Sequence, residues 1–431
     1  MQVLTMHGFF VYLLLLISES LSIINQNKFE IKRNFLLMAV LGCTALILLS
    51  CKREKEAQDE SIKLIIKDAL NNERDAYLSE IASSIEYIPL ETSDKSLVAS
   101  LHRPILIDGT FYIIDHKWKD IKRFRRDGKF LGYVGGLGRA KGEFTSANPF
   151  NLFVDNEKGY PYIFDNTKLI EYNPEGSFVR EIYVPDFKNS NAHIFKMIKF
   201  SSYYFIDALD FSSGKSHLII LDSLGSPLNQ LPNFDKPEKS EKDGESDGPV
   251  EFMSATPAHI YRFNDLLRIV TPDCDSIISF DNSLIRSVAY VIDYGNSKMT
   301  GTAGNDRENS VSAITTFTTE SDNAIFLSLR IGENIKSSEF GEWYRALYNK
   351  RSGEFNLLRK KGKRDAMIND LDGGVAFWPI NHSPQGELIM PLSAMEFIDA
   401  ADKSNSSEMK RVAATLKEDS NPVIVVVKVK K

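Results

Sequence analysis

A unit of roughly fifty residues recurs along this chain, and a repeat of that length restricts the fold more than any other feature of the sequence. Phe111–Leu131, FYIIDHKWKDIKRFRRDGKFL, aligns with Pro161–Ile182, PYIFDNTKLIEYNPEGSFVREI. Each copy has an aromatic residue, two apolar residues and Asp, then an apolar-aromatic strand, then Gly and Phe after a turn. A weaker copy starts at Tyr204, and others start near Leu267, Ile325 and Leu388. The anchors Tyr112, Tyr162, Tyr204, Leu267, Ile325 and Leu388 lie about 40 to 65 residues apart, the length of one four-stranded propeller blade. Short β-branched and aromatic runs alternate with Gly, Asn, Asp and Ser turns throughout, which is the texture of an all-β protein. The expectation is a six-bladed β-propeller. A pair of β-sandwiches is the competing architecture, and it does not account for the recurring strand–Asp–strand–Gly–strand unit.

A propeller has to hide the edges of its first and last strands, which it does by letting one terminus complete the blade begun by the other. SIKLII, starting at Ser61, and NPVIVVVKVKK, starting at Asn421, both read as strands. They are expected to meet in one blade. A helical insertion from Ala394 to Lys417 is predicted between the Leu388 unit and the last strand.

The N-terminus carries an address. Lys28, Lys32 and Arg33 precede the uncharged run FLLMAVLGCTALILLS, Phe35 to Ser50, and Cys51 follows, with the charged stretch KREKEAQDE after it. A basic region, a short apolar region and small residues before the cut describe an export signal, and the apolar run is short for a membrane span. Leu48-Leu49-Ser50-Cys51 resembles the bacterial lipobox, which implies that Cys51 is lipidated and becomes the first mature residue. Val40-Leu41-Gly42-Cys43 fits the same pattern, but apolar residues follow Cys43 where a charged tether follows Cys51. Translation from near Ile31 would give a complete signal, making residues 1–30 an over-extended gene start. The domain reading is therefore residues 1–50 as export signal, 51–60 as lipidated Cys and tether, and 61–431 as propeller. After cleavage only Cys51 and Cys274 remain, so no intramolecular disulfide is expected.

Three segments make the family legible: LSEIASSIEYIPLET (from Leu78), GKFLGYVGGLGRAKGEF (from Gly128) and EDSNPVIVVVKVKK (from Glu418). On top of a lipoprotein signal, they resemble the six-bladed β-propeller lipoproteins of Gram-negative gut anaerobes, which are distantly similar to NHL-repeat and TolB-like propellers. The resemblance covers about residues 61 to 431. It implies the fold and a lipid anchor in the cell envelope, most naturally the outer membrane with the face undetermined, and it implies no particular reaction.

Few residues point to chemistry. The loop Gly135–Phe144, GGLGRAKGEF, looks suited to phosphate, yet it has neither the dinucleotide nor the P-loop spacing and no helix follows it. An inter-blade connection using glycine's conformational freedom is the plainer reading. Facing the channel mouth, Arg139, Lys141 and Glu143 would hold an anionic or polyhydroxylated ligand, Arg139 most strongly through its planar fork. His116 and Trp118 are further ligand-binding candidates. The histidines at 102, 116, 193, 217, 259 and 382 show no metal-binding grouping, so neither metal nor other cofactor is expected. Asp243–Gly248, DGESDG, begins like a calcium loop but has Ser254 where the bidentate Glu belongs. No Gly-x-Ser-x-Gly elbow is present. Trp118, Trp343 and Trp378 read as sugar-stacking or as packed aromatics.

With a net charge of -6 and no basic stripe, nucleic acid is not an expected partner. The leading functional expectation is a lipid-anchored, non-enzymatic binding module for a glycan, a peptide or a partner envelope protein. The alternatives are a hydrolase or lyase acting on glycans or peptides in the central channel, and a scaffold subunit of an outer-membrane import assembly.

Overall fold

The structure is a computed structural model. It describes residues 61–70, 72–101, 103–115, 117, 119–147, 151–165, 168–184, 192–210, 215–232, 259–270, 276–293, 311–333, 342–359 and 365–431. Cys51, Cys274 and the Asp243–Gly248 stretch lie outside these residues, as do His116 and Trp118.

The chain enters through β1 (Ile62–Ile65), α1 (Ile66–Leu70), β2 (Glu73–Arg74) and β3 (Ala82–Pro89). Six sheets are then laid down in order. Blade one comprises β4 (Ile105–Ile107), β5 (Thr110–Asp115), β6 (Asp120–Arg125) and β7 (Phe130–Tyr133). Blade two comprises β8 (Leu152–Val154), β9 (Pro161–Asp165), β10 (Lys168–Tyr172) and β11 (Phe178–Tyr183). Blade three holds β12 (Ala192–Phe200), β13 (Tyr203–Asp210), β14 (Lys215–Leu221) and β15 (Pro227–Pro232). Blade four holds β16 (His259–Phe263), β17 (Leu266–Val270), β18 (Ser276–Phe280) and β19 (Arg286–Asp293). Blade five is β20 (Val311–Glu320), β21 (Ala324–Glu333), β22 (Glu342–Asn349) and β23 (Phe355–Leu358). Blade six is β24 (Asn381–His382), β25 (Leu388–Leu392), β26 (Val423–Val429) and, as its outer strand, β3.

Each of the six sequence anchors falls in the second strand of its own blade, and each is buried. The reason lies in how the blades stack. Both faces of a blade press on a neighbour, so successive residues of a central strand are apolar on both sides. Tyr112 and Ile114 pack with Leu152 and Ile163 of blade two, while Phe111 and Ile113 pack with Ile389 and Ile424 of blade six. Six such apolar clusters join blade one to two, two to three, and so on until blade six meets blade one.

The repeated Gly has a specific job in this stacking. Gly128, Gly176 and Gly225 sit in the turns before the outer strands at φ of 87°, 86° and 89°. A Cβ on Gly176 would lie 2.1 Å from the carbonyl oxygen of Tyr133, at the end of the preceding blade's outer strand. Gly128 meets the Pro89 carbonyl in the same way. Glycine is needed there both for the left-handed backbone and for the close approach of the next blade. The repeated Asp ties the chain as it enters each blade: Asp115 accepts from the Ala99 N–H at 2.7 Å, and Asp165 from the Thr145 N–H at 2.8 Å.

The ring closes by pairing of N- and C-terminal strands, with one correction to the sequence reading. The closing N-terminal strand is β3, which pairs antiparallel with β26, Val423 opposite Pro89 and Val427 opposite Ile85. SIKLII goes elsewhere: β1 adds in parallel to the outer edge of blade four, with Ile62 opposite Tyr290. β2 then adds in parallel to the outer edge of blade five, with Glu73 opposite Leu357. The N-terminal segment is thus a belt over the outer edges of blades four and five before it becomes the outer strand of blade six. Burial explains the assignment. β1 is short and buries only Leu64 of its four residues, enough to cover an edge, whereas β3 has the length to pair along the whole of β26.

Asn421 locks this closure. Its side chain is fully buried, donates to the carbonyls of Glu91 (2.6 Å) and Ser96 (2.8 Å), and accepts from the Val98 N–H (2.8 Å). The predicted helical insertion is present as α2 (Ala394–Lys403) and α3 (Ser407–Ala413), which follow β25. Ser393 and Ser406 cap these helices through side chains that accept from Glu396 and Met409 N–H groups. Ser406 also donates to Asp372 at 2.6 Å, and Tyr87 of β3 reaches the same carboxylate at 3.1 Å, so the insertion is fastened to the closing strand.

Candidate binding site in the central channel

The first strand of each blade lines the axis of a propeller. Here β8, β12, β16, β20, β24 and β4 follow one another around that axis. Basic side chains come from this inner layer, among them Lys199 of β12 and Arg262 of β16, and four concern the site: Arg103 just before β4, Lys196 on β12, His259 on β16 and His382 on β24. All four are partly exposed.

His382 is a bracket between blades. Its Nε2 lies 2.6 Å from the Arg262 carbonyl oxygen, which can only accept, so Nε2 carries the proton. Nδ1 of the neutral ring then accepts from the Thr319 hydroxyl at 2.7 Å. One imidazole therefore joins the inner strands of blades four, five and six. Burial lowers its pKa, in keeping with the neutral ring. Tyr261 stands edge-on to His382 with centroids 6.1 Å apart, and His259 lies 5.6 Å from Tyr261 on the other side.

Burial shifts the other three as well. Burial pushes the Lys196 ammonium down to about 7, Arg103 pushes the same way, and Asp207 opposes them. His259 is held well below its ordinary value by burial first, then by Lys196, Arg103 and His382. Arg103 is itself lowered by burial. Lys196 has no hydrogen-bond or ion-pair partner within bonding distance among the described residues. A β-bulge between Ile194 and Lys196 sets it opposite the buried Asp207 of β13, and bulges commonly re-aim a side chain.

A second buried polar cluster lies one layer out, between blades four and five. Glu320 is 0% exposed at its carboxylate and takes Lys350 at 2.7 Å, Tyr290 at 3.1 Å, and Tyr261 and Arg268 at 3.2 Å. Lys350 also sits over the Phe263 ring, 4.0 Å from its centroid. Every lone pair is used, so this cluster is a fastening between blades.

The glycine loop is an inter-blade connection, running from β7 to β8, and its contacts are on the rim. Gly142 donates to Glu181 of β11 at 3.0 Å and accepts from the Tyr172 hydroxyl at 2.9 Å. Lys141 lies over the Phe178 ring at 5.8 Å, and Glu143 is occupied by the Ala140 N–H at 2.9 Å. Arg139 and Lys141 are exposed, and Lys141 lies against Phe178 of the outer strand of blade two. Trp378 is buried under blade six, whereas Trp343 is 58% exposed. A surface groove of about 480 Å³ between Glu86–Pro89 and Arg125–Asp127 has its charges paired internally, Arg126 with Glu86 at 2.8 Å and with Glu387 at 3.1 Å.

Sequence reasoning missed Arg103 and Lys196, and it saw His259 and His382 only as scattered. A usable signal was present: each stands in the segment immediately ahead of a blade anchor. No group of His, Cys, Asp or Glu suited to a metal ion occurs among the described residues.

The architecture defines a class, the six-bladed β-propeller with a polar channel. The model for the domain of unknown function DUF4934 matches residues 61–428, and the chain belongs to the DUF4934 family. Among solved structures, a Bacteroides fragilis protein assigned to export is 18% identical, with 86% of this chain and 99% of that chain covered and a TM-score of 0.60. A member of the DUF4221 family from Bacteroides vulgatus is 13% identical, covering 81% and 97%, with a TM-score of 0.44. A streptogramin B lyase is 11% identical, covering 80% and 98%, at 0.35. The first shares the fold, and the other two are too distant to carry an argument. No curated protein matches the sequence.

Proposed function

We propose that this protein is a cell-envelope binding module, anchored by lipid on Cys51, which takes a glycan, a peptide or the end of a partner envelope protein at the centre of its ring. The observation that carries the reading is the placement of Arg103, Lys196 and His259 on the inner layer of three blades, where burial withdraws all three from water and Arg103 acts on both Lys196 and His259. Perturbed titratable groups cluster at functional sites. The envelope address draws support from the basic and apolar leader ending at Cys51, and from likeness in fold to a Bacteroides fragilis protein assigned to export.

One observation favours a second reading, catalysis by a hydrolase or lyase in the same channel. Lys196 and His259 both lean towards neutral, proton-accepting forms, as a general base requires.

Two measurements test the proposal. Metabolic labelling with a palmitate analogue should mark the wild type and not Cys51→Ala; label retained on the variant refutes the anchor. A thermal-shift screen of the full-length protein in detergent against glycan and peptide panels should find a stabilising ligand. Its effect should vanish in Lys196→Met, and a ligand indifferent to that change refutes the channel site. Release of product from the bound ligand decides for the second reading.

A further inference from the structure

We propose that a second site, for a neutral sugar residue, lies where the inner strands end, with the Arg262 guanidinium donating to one hydroxyl and the Glu157 carboxylate accepting from its neighbour. It is separate from the layer of Arg103, Lys196 and His259: Arg262 stands three residues beyond His259 on β16, and Glu157 lies in the turn between β8 and β9.

The case starts from an arginine whose donors are unspent. Other sheltered guanidinium groups each use at least one: Arg74 forks onto Glu80 with both contacts at 2.8 Å, Arg268 reaches Glu320 at 3.2 Å, and Arg123 donates to the Pro174 carbonyl at 2.6 Å. Arg262 is only 10% exposed, yet its Nε and Nη1 are buried without a hydrogen-bond partner. The carboxylate facing it, Glu157, stands 3.5 Å from Nη1, beyond hydrogen-bonding length. The Phe200 ring lies 5.3 Å from the guanidinium carbon, so the cation is steadied through an aromatic contact that uses none of its N–H groups. Sheltered donors left unmade are costly, and no acceptor for them is present among the described residues.

Both halves of the pair are held by a built frame. Asp155, itself buried, takes Lys199 of β12 at 2.5 Å and accepts from the Glu157 N–H at 3.1 Å. The same turn is closed by the Asp155 N–H on the Tyr160 carbonyl at 2.9 Å and the Gly159 N–H on the Asp155 carbonyl at 2.8 Å, which fixes where Glu157 is presented. Across from it, His382 of blade six donates to the Arg262 carbonyl at 2.6 Å. Blades two, three, four and six therefore all contribute, and only the closed ring brings them together. Two cations and two carboxylates are joined by these contacts, Arg262 and Lys199 with Glu157 and Asp155, so the site has no net charge to offer an anion. What it offers is a set of N–H donors beside a half-exposed carboxylate that can only accept. Two hydroxyls on adjacent carbons answer both, because each can accept and donate. A few polar groups fixed in place are what orients a small ligand.

Calorimetric titration of the full-length protein, held in a sugar-free detergent, tests this with the methyl glycosides of D-galactose, D-mannose, D-glucose and L-fucose. At least one should bind saturably, and its counterpart lacking one of two adjacent hydroxyls should bind about tenfold or more weakly, as expected for loss of a hydrogen bond to a charged group. Arg262→Met and Glu157→Gln should each weaken the same sugar by a similar factor. Unchanged near-ultraviolet circular dichroism shows that the variants fold; should Arg262→Met fail to, Glu157→Gln, which keeps the shape of a half-exposed side chain, decides alone. Sodium sulfate at fixed ionic strength should not compete. No saturable binding of any of the four sugars, or binding indifferent to either substitution in a folded variant, overturns the inference, and so does competition by sulfate, which would mark an anion site. If Lys196→Met abolishes sugar binding while Arg262→Met and Glu157→Gln leave it intact, the sugar belongs to the layer of Arg103, Lys196 and His259, and this inference fails while the proposed function stands.

Discussion

Replacing Glu320 by glutamine keeps the shape of the side chain and removes its charge, which isolates what that charge does between blades four and five. The carboxylate has no exposure and serves two cations, Lys350 at 2.7 Å and Arg268 at 3.2 Å, together with the hydroxyls of Tyr290 and Tyr261. The amide would keep one acceptor oxygen and turn its NH2 group on a cation that cannot accept. Breaking a buried ion pair from one side costs about 3–5 kcal/mol, mainly because the orphaned charge stays buried. For a unit the size of Ser61–Lys431, per-residue averages give an unfolding entropy of about 0.8 kcal/mol/K, so a loss of about 4 kcal/mol lowers the midpoint by about 5 °C. The assay is thermal or urea unfolding followed by circular dichroism. Lys350→Met added to Glu320→Gln should recover part of the loss, since it removes one of the stranded cations. A single variant within about 1 kcal/mol of the wild type, or a double variant whose losses simply add, refutes the reasoning.

Gly176→Ala should destabilise by about 2–4 kcal/mol, because it combines a positive φ with a collision against the Tyr133 carbonyl. Gly386→Ala, also at positive φ but with nothing within 4 Å, should cost about 1 kcal/mol; equal losses in chemical denaturation would refute the inter-blade role. Asn421→Ala leaves the Val98 N–H without its acceptor and the Glu91 and Ser96 carbonyls without their donor, for a loss of about 2–4 kcal/mol. Hydrogen exchange should quicken first in β3 and β26, and uniform quickening across all blades would count against it. Lys196 gives a pH signature. Its pKa falls from 10.5 to about 7 on folding, so the unfolded chain binds more protons between those values and stability rises with pH across that window. Below pH 7 the cost is fully present. Relative to Lys196→Met, the wild type should gain about 2 kcal/mol between pH 7 and 9, and a constant gap in urea midpoints refutes the strained amine.

The fold is legible in the sequence because its physics repeats. Tyr112, Tyr162 and Tyr204 occupy the same place in successive blades, and Asp115 and Asp165 perform the same tie, so each copy reinforces the reading of the others. The helical insertion announces itself by a change of period. SIKLII reads as part of the closing blade because an apolar strand needs a partner, and nothing local distinguishes the edge of blade four from the edge of blade six. The channel site is hidden for a related reason. Arg103, Lys196 and His259 are far apart in the chain and ordinary in their own neighbourhoods; only closing the ring brings them together. The glycine loop stands out because it is locally unusual, yet its contacts with Tyr172, Phe178 and Glu181 are those of blade packing.

The closing pair of strands has a consequence for when this protein can become itself. β3 is synthesised early and its partner β26 last, so the outermost strand of the final blade must wait while five blades are made. Until Val423–Val429 arrives, blade six lacks its third strand, Phe111 and Ile113 lack Ile424 and Val426 beside them, and the side chains of the channel have no reason to assemble. Pairings so distant in sequence form slowly. A chain built this way stays open through most of its own synthesis and acquires its centre in a single late step.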